Sequence, residues 1–289
     1  WGVARDIRAV TGLPIQLASP ALVIESNAHP IAVEVKDGGC DRFCGITIDG
    51  IQVAPSPAWL QERLQAIGLR PINNVVDITN FICHGLGQPM HAYDWNEIKG
   101  GKLIVESLPA GTLFKTLDGV ERKLTGEELM ICDASGAIGL AGVMGGEHSS
   151  IKDSTTRVFL EVAHFKPERI RKASQTHGLK TDASFRFERG TDIQAKLFAL
   201  EYAAQLIQEL AGGKITSEPI DYYPSPVSLV KIPVNVQRVQ KYIGIELAAE
   251  RIKEILVLLD FKIEAEKGDD FTAISPAYRV DVTREADII

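Results

Sequence analysis

The chain has 289 residues, 45% hydrophobic and 24% charged, with a formal net charge of −7. That composition suits a soluble globular protein of about two domains at ~150 residues each, and no apolar run reaches the ~18–20 residues that a membrane span needs. The acidic balance excludes a general nucleic-acid coat protein but leaves room for a local basic face.

Four sparse cysteines, Cys40, Cys44, Cys83 and Cys132, fit reduced thiols in a cytoplasmic protein better than a disulfide framework. No second Cys or His pair at ligand spacing follows Cys40 and Cys44, so no metal is expected. Trp1 stands without an initiator Met or a basic-then-apolar leader, which leads us to expect a fragment or an excised set of domains.

Ser56 as N-cap, Pro57 at the first helical position and Leu60, Leu64 and Ile67 at i, i+4, i+7 predict a helix over 57–67, ended by Gly68. Next, Arg70 to Trp95 sets Asn73, Asn74, Asp77, Thr79, Asn80 and His91 within an apolar bed of Val75, Val76, Ile78, Phe81 and Ile82. Each buried polar group without a partner costs about 1–3 kcal/mol, so this stretch reads as a site.

From Lys102 to Ile138 short apolar runs alternate with turn residues, as in the Asp118-Gly119 hairpin signal, and predict strands. Leu140 to Gly146, LAGVMGG, is a tight turn or a ligand approach; it lacks the Lys-Ser/Thr ending of a phosphate loop. Arg157 to Phe165 predicts a strand with Val158, Leu160 and Val162 on one face and Phe159, Glu161 and Ala163 on the other.

Helices are expected near 167–177 and 191–211, the second stopped by Gly212-Gly213. Tyr222-Tyr223-Pro224-Ser225-Pro226 breaks the pattern, so 1–212 are assigned to one domain, 213–227 to a linker and 228–289 to a small module. Helical patterns at 235–243 and 248–259, then strands near 261–266 and 271–274, suit a helix-turn-helix or winged form. The fold class expected is α+β or mixed α/β, with mixed sheets flanked by helices.

Taken alone, Glu161 is either a solvated edge residue or a carboxylate held in a pocket to accept a ligand hydroxyl. His91 either satisfies the backbone or faces a ligand. The run Lys166 to Arg189 is basic in an acidic chain; it is either a solvated face or a phosphate-contacting one, with Arg171, Lys172, Lys180 and Arg186 as candidate RNA contacts.

Together RPINNVVDITNF, GQPMHAYDW, LAGVMGG, LEVAHF, IRKASQTHGLKTDASFRFERG and SPAYRVDVTREADII resemble the beta-subunit family of bacterial phenylalanyl-tRNA synthetase, over nearly the whole chain. The resemblance implies a tRNA-editing domain that hydrolyses Tyr-tRNA(Phe), followed by a helix-turn-helix-like module. It implies that Glu161 and Gly142 form the tyrosine-reading end, with Thr181 and Ala183 as the wall beside it. Thr79, Asn80 and His91 would face the ester and terminal adenosine, with His91 either a general base or a holder of that nucleotide. The partners implied are tRNA(Phe) and an alpha subunit in an α2β2 assembly, while ATP and Mg2+ belong to the parent synthetase and no cofactor to this piece. Two rivals stand beside editing: a tRNA-contacting scaffold without activity, and a binder of free tyrosine. The chain departs from the family at Thr191 and Ile193, where Val and Pro are commoner, and at Tyr93, where Phe is; none of these is expected to weaken the editing assignment much.

Overall fold

The computed structural model describes residues 1–289, with residue 266 as backbone alone. The chain forms two compact units, residues 18–225 and residues 1–17 with 226–289. The first helix, α1 (Gly2–Thr11), belongs to the smaller unit. The larger unit runs β1 (Ala32–Val35), β2 (Cys40–Asp49), α2 (Ala58–Ala66), α3 (Asn74–Leu86), β3 (His91–Asp94), β4 (Lys102–Glu106), β5 (Leu113–Lys115) and β6 (Glu121–Lys123). It continues with β7 (Met130–Asp133), β8 (Gly136–Leu140), β9 (Met144–Gly145), β10 (Arg157–Phe165), α4 (Pro167–His177), α5 (Asp182–Phe187), α6 (Lys196–Ala211), β11 (Lys214–Ile215) and β12 (Ile220–Tyr222). This is a mixed α/β architecture.

One sheet has the order β1-β4-β7-β8-β9, and the other β11-β2-β10-β3 with β12 also on β2. The two-residue period of β10 layers the unit. Val158, Leu160 and Val162 pack with Leu60, Ile78, Leu200 and Ile207 of the helices. Phe159, Ala163 and Phe165 pack with Leu103, Met130 and Leu140 of the other sheet. Each aliphatic side chain so buried contributes ~1.5–3 kcal/mol. A carboxylate at position 161 of this row works against that core, which singles it out.

Several local expectations need correction. The Ser56 hydroxyl donates to Asp77 Oδ2 at 2.6 Å instead of capping α2, whose N-cap is Pro57. The polar run 73–77 is largely structural: Asn73 caps α3 by accepting from the Val76 amide, Asn74 ties Ala54, Gln52 and Leu210, and Asp77 also accepts from the Ile72 amide. The helix expected from 191 begins at Lys196, because Asp192 accepts from the Gln194 amide in a turn. Residues 213–227, assigned to a linker, supply β11 and β12, both antiparallel to β2.

In the smaller unit, β13 (Lys231–Val234), α7 (Val236–Ile243), α8 (Ala249–Leu258), β14 (Lys262–Lys267), β15 (Asp270–Ile274) and α9 (Glu285–Ile288) follow α1. The antiparallel order β13-β15-β14 adds a strand, β13, that the hydrophobic pattern does not mark. Ile232, Val239, Ile252, Leu256 and Phe271 form its core. Residues 1–17, assigned with the first domain, belong here instead. Helix α1 buries no side chain and is held by polar ties: Arg8 Nε donates to the Leu258 carbonyl at 2.7 Å, and Arg5 Nε lies 3.1 Å from Asp260 Oδ2.

Candidate functional site

Strands β10 and β3 pair antiparallel with Glu161 directly opposite His91, so both side chains leave the same face of the sheet. They line a pocket of about 100 Å³ together with Tyr93 of β3, Gly142 between β8 and β9, and Ala183 of α5. An apolar cavity of ~150 Å³ holds a benzene ring, so the pocket approaches, without reaching, the space that one aromatic ring fills.

The hairpin joining β8 to β9 has three loop residues, 141–143, closed by the Val143 amide donating to the Leu140 carbonyl at 3.0 Å. Gly142 takes φ +66, the left-handed region that such loops require. A Cβ there would lie 2.9 Å from Ile170 Cδ1 and 3.0 Å from Phe187 Cδ2. Gly145 is equally constrained by contact, since its Cβ would lie 2.7 Å from His91 Cε1. The glycine run therefore serves a left-handed turn at 142 and a close approach to the imidazole at 145.

Glu161 is 6% exposed. Its Oε2 accepts from the Tyr93 hydroxyl at 2.7 Å, and its Oε1 accepts from no described residue. Burial pushes the carboxyl up to about 7, with the Tyr93 hydrogen bond acting in the opposite direction. Burial pushes His91 down to about 4, so the imidazole is neutral at pH 7. Its Nε2 is enclosed without a partner, a cost of about 1–3 kcal/mol that a ligand donor or acceptor would relieve. A group at about 4 is a weak base near neutrality, whereas Glu161 titrates where proton transfer is efficient.

Glu161, His91, Gly142 and Ala183 are thus brought together. Thr181 stands just behind: it caps α5 by accepting from the Ser184 amide, and its hydroxyl donates to the Val143 carbonyl at 2.8 Å, tying α5 to the glycine turn. Thr79 and Asn80 are on α3 and do not line the pocket; the Thr79 hydroxyl donates to the Val76 carbonyl one turn back.

The basic run is largely engaged within the fold. Arg171 donates to the Glu188 carbonyl, Lys172 pairs with Glu127, and Arg186 bonds Asp182 and His84 Nδ1. Lys180 is exposed. Among the described residues there is no cluster of three His, Cys, Asp or Glu suited to a metal. Cys40 and Cys44 are buried free thiols, and burial foremost pushes Cys44 up to about 12.

Two contributors escaped sequence reasoning. Tyr93, one of the departures from the family pattern, touches the buried Glu161 carboxyl directly. Lys196 is fully buried, and its Nζ donates to Gln88 Oε1 at 2.5 Å and Thr191 Oγ1 at 2.7 Å, so α6 anchors the loop that leads into His91. Burial pushes this lysine down to about 7. A Lys at the head of an amphipathic helix ordinarily signals a solvated end, so nothing in the sequence marked it.

Comparison with known proteins adds the family. Residues 39–212 match the B3/4 domain and residues 232–289 the tRNA synthetase B5 domain. The phenylalanine–tRNA ligase beta subunit of Bacteroides fragilis (strain YCH46) is 47% identical over 296 residues, covering all of this chain and 36% of that subunit. That of Carboxydothermus hydrogenoformans is 43% identical over 288 residues, covering 99% of this chain and 36% of the subunit. The chain therefore spans about a third of the length of these relatives. A solved N-terminal fragment of the phenylalanyl-tRNA synthetase beta-subunit from Pyrococcus horikoshii aligns with 99% of this chain and 79% of its own, at 17% identity and a TM-score of 0.46, too distant to carry an argument. By its B3/4 and B5 domains, and by identity along its whole length, the chain belongs to the phenylalanine–tRNA ligase beta-subunit family.

Proposed function

We propose that the pocket is the reading end of an editing site that hydrolyses tyrosine from Tyr-tRNA(Phe). The observation that carries this reading is the buried carboxylate of Glu161, with one free oxygen, at a largely apolar pocket of about 100 Å³. A synthetic pocket built for Phe rejects an added hydroxyl only weakly, by roughly a hundredfold in comparable enzymes. A second site that hydrogen-bonds the hydroxyl supplies the rest, because Phe would leave its polar groups unpaired. Glu161 accepts the substrate phenol, and the Gly142 amide, which has no acceptor among the described residues, donates to the phenol oxygen.

The ester and terminal adenosine lie toward His91, whose neutral ring and enclosed Nε2 suit holding a nucleotide or water better than abstracting a proton. Thr79 and Asn80 on α3 contact the RNA end outside the pocket, and Thr181 and Ala183 form its wall. Lys180 and the exposed Arg171 are the first candidates for a phosphate, with Lys172 and Arg186 engaged by Glu127 and Asp182. The parent synthetase, with its alpha subunit in an α2β2 assembly in the cytoplasm, would supply ATP- and Mg2+-dependent aminoacylation. No helix among the described residues is long and apolar enough to cross a membrane.

The test is deacylation of tyrosine- and phenylalanine-charged phenylalanine tRNA by the full-length parent and its Glu161→Ala variant. Loss of a charge-assisted hydrogen bond, ~1.5–3 kcal/mol, predicts a ~10–150-fold fall in preference for the Tyr ester. Equal selectivity in both proteins removes Glu161 as the reader. No hydrolysis by the parent leaves the second reading, a tRNA-contacting scaffold, which the weak basicity of His91 at about 4 favours.

A further inference from the structure

We propose that Tyr93 is a positioning residue of the reading end: its phenol holds Oε2 of Glu161 so that Oε1 is presented to the hydroxyl of an aromatic ligand. The inference rests on the editing reading for the identity of the ligand, and on the geometry of β3 and β10 for the rest.

Tyr93 sits two residues after His91 on β3, opposite Phe159. Its ring therefore shares the face of Glu161 and reaches it diagonally, closing a 2.7 Å hydrogen bond between groups that are 2% and 6% exposed. The tyrosine ring is itself held: it is 2% exposed, and the His91 ring packs on it edge to face at 4.4 Å between centroids. A carboxylate has about four lone-pair sites. One is taken by a rigid internal phenol, which sets the plane of the carboxylate and leaves the second oxygen for the ligand.

Two effects of the internal phenol compete. It satisfies Glu161 partly in advance, which lessens the penalty when Phe enters the pocket. It also favours the ionised carboxylate, and hydrogen bonds to a charged group contribute ~1.5–3 kcal/mol against ~0.5–1.5 for neutral pairs. Desolvating an ion is costlier still, so the second effect dominates and Tyr93 sharpens discrimination. The other titratable groups near this pair are His91 on β3, Cys40 on β2, which interacts with Glu161, and Cys132 on β7, which interacts with Tyr93. No Lys, Arg or Asp lines the pocket, so the hydroxyl of Tyr93 is the main influence keeping the carboxyl ionised against burial.

Tyr93→Phe deletes one oxygen and keeps the ring. The probes are the amides of 3′-amino-3′-deoxyadenosine with tyrosine and with phenylalanine, which do not hydrolyse, bound to this chain between pH 6 and 9. We expect the wild type to prefer the tyrosyl amide with a pH midpoint near that of Glu161. In Tyr93→Phe the preference at pH 7 should fall about tenfold, with the midpoint moved to higher pH. An unchanged or larger preference in Tyr93→Phe overturns the assignment, as does a wild type that does not distinguish or bind the two amides. If Tyr93→Phe fails to fold, Tyr93→Met, which fills similar space without a hydroxyl, decides: a lowered preference with the midpoint at higher pH supports the assignment, and a wild-type preference and midpoint overturn it. Ester hydrolysis by the full-length parent is measured in parallel. Tyrosyl preference without hydrolysis removes the editing reading while leaving Tyr93 in its role.

Discussion

Replacing Gly142 by Ala tests whether the glycine turn is a precise element of the pocket or an ordinary loop. Two independent costs apply. The left-handed backbone at φ +66 costs a non-glycine residue roughly 1–2 kcal/mol. The added methyl would also meet Ile170, Phe187 and Phe165 at 2.9, 3.0 and 3.1 Å, all buried and therefore unable to swing into solvent. Overpacking of this kind costs about 1–3 kcal/mol. Together the loss is ~2–5 kcal/mol, and with ~2–4 °C per kcal/mol for a unit of 150–250 residues the thermal midpoint of the larger unit should fall by at least ~4 °C. Scanning calorimetry of wild type and variant measures this directly, because the smaller unit is untouched and serves as an internal reference. A shift below about 1 °C would show that the loop relaxes freely, and would refute the claim that it is held by α4, α5 and β10.

Gly145→Ala should behave differently. Its φ is not left-handed, but its Cβ would press on His91 Cε1 at 2.7 Å, so the imidazole must move. A 1 Å misplacement costs roughly a hundredfold in rate, so Tyr-ester hydrolysis by the parent should drop by that order while the midpoint falls less than for Gly142→Ala; wild-type hydrolysis would dissociate His91 from the chemistry. Lys196 makes a statement about pH. Its folded value near 7 lies below the ordinary 10.5, so between those values the unfolded chain binds a proton that the folded chain does not. Stability should therefore rise with pH over that window by up to ~1.4 kcal/mol per unit from this group. Urea unfolding at pH 7 and 9.5 should show the rise in wild type and its loss in Lys196→Met; equal slopes would refute a lysine buried as the neutral amine.

What the sequence disclosed depended on whether a residue's local surroundings matched its tertiary ones. Strand β10 was legible because strict alternation left Glu161 between the apolar Phe159 and Ala163 in mid-strand. Helix α4, expected near 167–177, runs Pro167–His177. The segment before His91 misled, because a capping Asn73, a bridging Asn74 and a twice-bonded Asp77 look identical in sequence to ligand groups; their partners at 52–56, 72 and 210 are set only by the fold. Strands β11 and β12 are two and three residues long, too short for any period to register. Tyr93 stood out in the sequence only as a departure from a commoner Phe, and only the register against β10 reveals that its hydroxyl meets a carboxylate.

The smaller unit has a consequence for the order of events during synthesis. Arg8 and Asp260, joined by a hydrogen bond, are 252 residues apart, and at ~5–20 residues per second a ribosome needs roughly 13–50 s to produce the second after the first. The residues of the larger unit are continuous in the chain, so its core can assemble as soon as β12 emerges. Helix α1, with no buried side chain to hold it, must wait as a nascent, solvent-facing segment until the turn at Asp260 exists. Loop-closure entropy grows only logarithmically with length, and a folded intervening unit shortens the effective loop further. Early completion of the larger unit therefore assists the closing of the smaller one, and a ribosome stalled before residue 260 would carry a finished pocket and an unmated α1.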